Sequence, residues 1–201
     1  MPQTIETPHG TARVHVHPVA EPVGAIVLGH GAAGSVTARD LVAVADVAHE
    51  AAVNVALVEQ PYRVAGRRAP APAHQLDAAW IAVVAALRAD ALRGPPLVVG
   101  GRSSGARVAC RTAEAVGAAA VLCLAFPLHP PGRPLNTRQP ELDAVRVPTL
   151  VVQGERDPFG RPGHEASREV VLVRGNHSLN ADLDAVAAAV RAWLPAVLCG
   201  G

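Results

Sequence analysis

Residues 96–110 read Pro96-Leu97-Val98-Val99-Gly100-Gly101-Arg102-Ser103-Ser104-Gly105-Ala106-Arg107-Val108-Ala109-Cys110. The run 97–100 has the composition of a buried strand, and 106–110 reads as a helix. The word Gly101-Arg102-Ser103-Ser104-Gly105 therefore falls on a sharp strand-to-helix turn. Such a turn presents the Ser103 hydroxyl outward, while Gly101 and Gly105 remove side chains that would clash with the neighbouring strand and helix. Two further words sit in equivalent places: Gly154-Glu155-Arg156-Asp157 follows the apolar run 149–153, and Gly175-Asn176-His177 follows 169–173. Each reactive side chain thus leaves the carboxyl end of a strand.

Around these words, apolar runs of strand length alternate with longer segments of helical period, the pattern of an α/β protein with a mostly parallel sheet covered on both faces. Strands are expected at 11–17, 25–28, 53–58, 97–100, 119–125, 149–153 and 169–173. Helices are expected at 40–52, with Val42, Val44, Ala45 and Val47 inward, at 74–92, from 104 to about 116, and at 181–194. The proline-bearing stretches 60–72 and 127–140 read as loops. At 201 residues, with no repeat or low-complexity linker, residues 1–201 are expected to form one domain.

Half of the residues are hydrophobic but only 2% are aromatic, so alanine, valine and leucine must fill the core. A net charge of +1, with 18 basic and 17 acidic residues, creates no field for a polyanion, so nucleic acid is not an expected partner. Cys110, Cys123 and Cys199 have no metal-like spacing and read as reduced thiols. His15 and His17 share a strand face, and His9 and His49 are isolated, so no metal site is expected. The opening residues lack a signal-peptide pattern and no apolar run reaches spanning length, which points to a soluble cytoplasmic protein with no membrane partner.

The chain order Ser103, Asp157, His177 is that of the α/β-hydrolases. A serine hydroxyl needs a base to take its proton and donors to hold the oxyanion that forms. His177 is the candidate base and Asp157 the acceptor that fixes its tautomer. The word Gly29-His30-Gly31-Ala32-Ala33-Gly34 follows the strand at 25–28. There the Ala32 N–H, with Ala33 the near alternative, is the candidate partner of the Ser104 N–H in an oxyanion hole. His30 is expected to hold the loop by hydrogen bonding. The same word also spells a dinucleotide-binding G-x-G-x-x-G with Glu59 ending the next strand, so nucleotide binding is a rival reading.

Two loops should border the site. One carries Tyr62, Arg63, Arg67 and Arg68; the other carries His129 and Arg133. Tyr62, Arg67, Arg102 and His129 are the candidate substrate contacts, with an internal salt bridge the other reading for Arg102 and packing the expectation for Phe159.

Taken together, 28–34 (LGHGAAG), 60–70 (QPYRVAGRRAP), 100–109 (GGRSSGARVA), 126–132 (FPLHPPG), 148–160 (PTLVVQGERDPFG) and 175–179 (GNHSL) resemble the small α/β-hydrolase-like family. That family includes dienelactone-hydrolase-like proteins, a testis-expressed hydrolase-like protein and the hydrolase-like domain of a chromatin acetyltransferase complex subunit. The resemblance implies a lidless α/β-hydrolase fold with a triad on Ser103, Asp157 and His177. The absence of a cap or long apolar lid points to a serine hydrolase of small soluble esters, thioesters or lactones that needs no cofactor, while no substrate is named by the resemblance. Because some members act within assemblies, it also leaves a non-catalytic interaction module with a protein partner as an alternative.

Overall fold

The computed structural model describes residues 2–199; the Cys199 side chain, read above as a thiol, lies outside that description. Strand β3 (Gly24–Gly29) is buried along its whole length. Its Ala25 and Val27 face one core while Ile26 and Leu28 face the other. The same division recurs along β5 (Leu97–Arg102), β6 (Ala120–Leu124) and β7 (Thr149–Gly154), so each central strand seals two hydrophobic layers at once. Such near-continuous apolar runs are what a parallel sheet with helices on both faces requires.

With β1 (Gln3–Thr7), β2 (Gly10–His17), β4 (Val53–Glu59) and β8 (Arg168–Val173), these strands form one sheet in the order β1-β2-β4-β3-β5-β6-β7-β8. The β1–β2 and β2–β4 pairs are antiparallel, and all others are parallel. Helices α1 (Arg39–Glu50) and α6 (Leu183–Cys199) pack together on one face. Helices α3 (Ala73–Ala89) and α4 (Ser104–Thr112) cover the other, with the short α5 (Gln139–Asp143) beside α4 and the short α2 (Pro61–Val64) against β2. The connection from β3 runs toward β4, whereas the chain reaches β5 on the opposite side of β3. The crevice between β3 and β5 is therefore the topological switch point, where open α/β sheets place their sites.

Several elements differ from the sequence expectation. Strand β1 was not anticipated: its residues are exposed or half-buried, and it pairs only with β2 at the sheet edge. In α1, Leu41, Val44, Val47 and Ala48 are buried while Val42 is 39% exposed, so the inward face is rotated from the one read off the valines. Helix α4 stops at Thr112, and the stretches read as loops contain α2 and the start of α5. Helix α6 continues through Pro195 to Cys199, because Trp193, Leu194 and Leu198 are all buried in the same core. That burial outweighs the hydrogen bond lost at the proline. No helix among the described residues is long and apolar enough to cross a membrane.

Candidate active site

Ser103 lies between β5 and α4 with φ 52° and ψ −107°, a region that L-residues avoid. Such a conformation costs on the order of 1–3 kcal/mol and persists only where the surroundings impose it. Here Ser103 N–H donates to the Leu124 carbonyl of β6 at 2.9 Å. Added Cβ atoms on Gly101 and Gly105 would both overlap the Gly29 carbonyl oxygen. The two glycines thus let the turn press directly on the backbone of β3, as the sequence pattern required.

The end of β5 brings Ser103 to the loop after β8. The Ser103 hydroxyl lies 2.9 Å from His177 Nε2, and His177 Nδ1 lies 2.8 Å from Asp157 Oδ2. With Nδ1–H donating to the carboxylate, Nε2 is free to accept the hydroxyl proton. The Asp157 side chain is fully buried. Its Oδ2 also accepts Gln153 Nε2–H at 2.8 Å, and its Oδ1 accepts the Phe159 N–H at 2.8 Å. Phe159 stacks on the His177 ring with centroids 4.1 Å apart, so its packing role includes orienting the imidazole. The two loops themselves meet at Gly154, where a Cβ would overlap the Asn176 carbonyl oxygen.

On the other side of Ser103, the loop after β3 is held by a chain of buried bonds. His30 Nδ1–H donates to the Gly31 carbonyl at 2.8 Å, and Nε2 accepts the Gln60 N–H at 3.1 Å. Burial lowers the His30 pKa, which favours this neutral tautomer. The Tyr62 hydroxyl donates to the Ala32 carbonyl at 2.6 Å, and burial pushes its pKa up to about 12, keeping the donor proton in place. Among the described residues, the N–H groups of Ala32, Ala33 and Ser104 have no protein acceptor.

Arg102 and Asp40 join these parts. Arg102 Nε–H donates to Asp40 Oδ2 at 2.9 Å and Nη2–H to the His177 carbonyl at 3.0 Å. A Cβ on Gly31 would come within 2.9 Å of Arg102 Nη1. One guanidinium therefore touches the base-bearing loop, the glycine loop and the start of α1. Burial raises the Asp40 pKa, opposed by the charge of Arg102. The sequence singled out Arg102 but not Asp40 or Gln153; the available signal for Asp40 was an acidic residue in the first turn of α1, directly before the apolar run Leu41-Val42-Ala43-Val44.

The four candidate substrate contacts do not converge on Ser103. Tyr62 is buried and directed at the glycine loop, and Arg102 is engaged in the internal salt bridge. Arg67 is exposed and lines a cavity of about 320 Å³ between the β1–β2 turn, α2 and α3, which contains none of Ser103, Asp157 and His177. His129 packs against Gly160, its N–H donating to the Phe159 carbonyl at 2.9 Å, so it braces the Asp157 loop. Glu59, the acid of the nucleotide reading, is paired with His15 at 2.7 Å and Arg13 at 3.4 Å.

A strand-ordered sheet of this kind with a serine on the β5 turn defines an α/β-hydrolase-type protein. A family model described as an alpha/beta hydrolase domain matches residues 22–184, and the chain belongs to that family. Solved structures of similar fold include an α/β serine hydrolase without lid from Xanthomonas campestris, at 23% identity over 97% of this chain and 95% of that one, with a TM-score of 0.77. Est1E from Butyrivibrio proteoclasticus is 16% identical over 98% and 99% of the two chains, with a TM-score of 0.80. An α/β serine hydrolase homologue from Coxiella burnetii is 16% identical over 96% of each, with a TM-score of 0.77. No curated protein matches the chain significantly.

Proposed function

We propose that the protein is a serine hydrolase acting on small soluble esters, thioesters or lactones. The observation that carries this reading is the unbroken relay from the buried Asp157 carboxylate through His177 to the Ser103 hydroxyl, with contacts of 2.8 and 2.9 Å. Ser103 Oγ attacks the acyl carbonyl as His177 Nε2 takes its proton. The carbonyl oxygen becomes an oxyanion facing the Ala32 and Ser104 N–H groups, at the positive end of α4. Each such donor contributes about 2.7–4 kcal/mol to the transition state. His177 then passes the proton to the leaving oxygen or sulfur, whose bond to the acyl carbon breaks. Water, deprotonated by the same imidazole, attacks the acyl-enzyme, and Ser103 recovers its proton as the acid departs.

The choice of small substrates rests on the loop after β6. The stretch 127–140 stands where a lid insertion would be expected and contributes only the start of the short α5. p-Nitrophenyl acetate should therefore turn over faster than p-nitrophenyl dodecanoate. The decisive measurement is fluorophosphonate labelling together with turnover of the short ester. Both should vanish in Ser103→Ala, with kcat falling by at least about 10³-fold, and collapse likewise in His177→Ala. Undiminished turnover by Ser103→Ala would overturn the assignment.

A further inference from the structure

Behind the nucleophile turn, on the face of the sheet covered by α3 and α4, Cys110 and Cys123 approach each other. Their sulfurs are 3.5 Å apart and both thiols are free. Cys110 lies on α4, the helix that begins beside Ser103, and Cys123 lies on β6, immediately before Leu124, whose carbonyl holds the Ser103 N–H. We propose that Cys110 and Cys123 form a redox modification site, a dithiol that hydroperoxides convert reversibly to an intrachain disulfide.

The two sulfurs are already in contact at 3.5 Å, and a disulfide requires them to close to roughly 2.0 Å. Access is one-sided. Cys123 is completely buried, whereas Cys110 forms part of the wall of a cavity of about 760 Å³ bounded by α3, α4 and α5, with Asp77, Arg111, Glu141 and Val145 among its other walls. Cys110 is itself only 4% exposed, but it borders that cavity while Cys123 does not, so it is the thiol that a molecule as small as hydrogen peroxide meets first. The Cys123 thiol is held well above its usual pKa by its hydrogen bond to the Cys110 sulfur and by burial. With Cys123 enclosed and Cys110 at the cavity wall, Cys110 is the thiol oxidised first and Cys123 the one that resolves it.

The Cys110 thiolate attacks one peroxide oxygen. A sulfur–oxygen bond forms, the oxygen–oxygen bond breaks, and the departing hydroxide leaves as water with the proton that Cys110 gave up. Sulfur is oxidised by two electrons and the peroxide is reduced. Cys123 then loses its proton and attacks the sulfenic sulfur, expelling hydroxide, which takes up that proton as a second water. The balance is one dithiol and one hydrogen peroxide to one disulfide and two waters. A dithiol reagent reverses it by exchange.

The test uses the full chain with Cys199→Ser, so that only these two thiols remain. The folded protein is treated with hydrogen peroxide, quenched, unfolded in iodoacetamide, and analysed by intact mass and non-reducing peptide mapping. The proposal expects a mass loss of about 2 Da, the two hydrogens removed on forming the disulfide, with no alkylation. It also expects one peptide pair joining Cys110 to Cys123, with both thiols recovered after dithiothreitol. In a Cys123→Ala variant, Cys110 should be trapped by dimedone as the sulfenic acid. Recovery of both cysteines alkylated after peroxide, or oxygen adducts on either without the cross-linked pair, would overturn it.

Discussion

Two loops leave the strands that flank β5, and they are built in opposite ways. The glycine loop after β3 is tied down by buried polar groups: His30 to Gly31 and Gln60, Tyr62 to Ala32, and Arg102 packed beneath Gly31. The loop after β6 carries five prolines between 127 and 140 but is pinned chiefly at its base. There His129 N–H donates to the Phe159 carbonyl, and Arg138 donates to the carbonyls of Leu128 and Pro127. Its residues 131–137 are exposed, Leu135 at 97%. Proline restricts φ residue by residue, yet it does not fix where a loop sits on the protein. Buried donors and acceptors do, because each has to find its partner or bear the cost of desolvation.

The comparison breaks hardest at Arg102. Arg102→Met leaves Asp40 buried without its cation, so thermal or urea unfolding should show a loss of about 3–5 kcal/mol. The double variant Arg102→Met with Asp40→Leu should regain most of that stability. Its kcat on the short ester should stay about 10- to 100-fold low, because the His177 carbonyl is no longer held. A double variant with full activity would reduce Arg102 to a purely structural residue.

Gly154→Ala comes next. It drives a Cβ into the Asn176 carbonyl and should cost about 1–3 kcal/mol, with kcat lowered and KM little changed, as the acid and base loops move apart. A smaller, pH-dependent effect belongs to His30. Its folded pKa is depressed, so the stability it contributes is present above about 6.5 and lost as pH falls through the lower folded value. The unfolded state binds more protons there, and the slope is at most about 1.4 kcal/mol per pH unit. Chemical denaturation at a series of pH values should show that slope in the parent and its absence in His30→Gln.

Tyr62→Phe removes one hydrogen bond to the Ala32 carbonyl and should cost about 1 kcal/mol of stability. A modest fall in kcat, without loss of fluorophosphonate labelling, would place its role in the glycine loop. Leu135→Ser, on the exposed proline loop, should change stability by less than about 0.5 kcal/mol. A large loss there would mean that the loop after β6 is as firmly seated as the loop after β3.

Much of this was legible in the chain because the signals are local. Strands buried on both faces must be apolar throughout, a strand-to-helix turn at Ser103 must have glycines where backbones touch, and Asp157 and His177 must follow strands to reach the same rim. These constraints write themselves into short words such as GRSSG and GNH, and their order along the chain specified the fold and the three residues that meet. What depends on distant partners left no such mark. The pairing of Asp40 with Arg102, the bond from Tyr62 to Ala32 and the contact between Cys110 and Cys123 join residues far apart in the chain or on different elements. Tyr62 read as a substrate contact, and Arg102 as either a substrate contact or an internal salt bridge, because a polar side chain near a strand end reads the same whether it faces solvent or the interior. Strand β1 and the last turns of α6 were missed for a related reason: edge pairing with β2 and burial of Leu198 decide them, against weak or contrary local preference. Periodicity and turn chemistry act over a few residues and are carried by the sequence alone, whereas the choice of partner for a buried polar group is made only when the sheet brings its neighbours together.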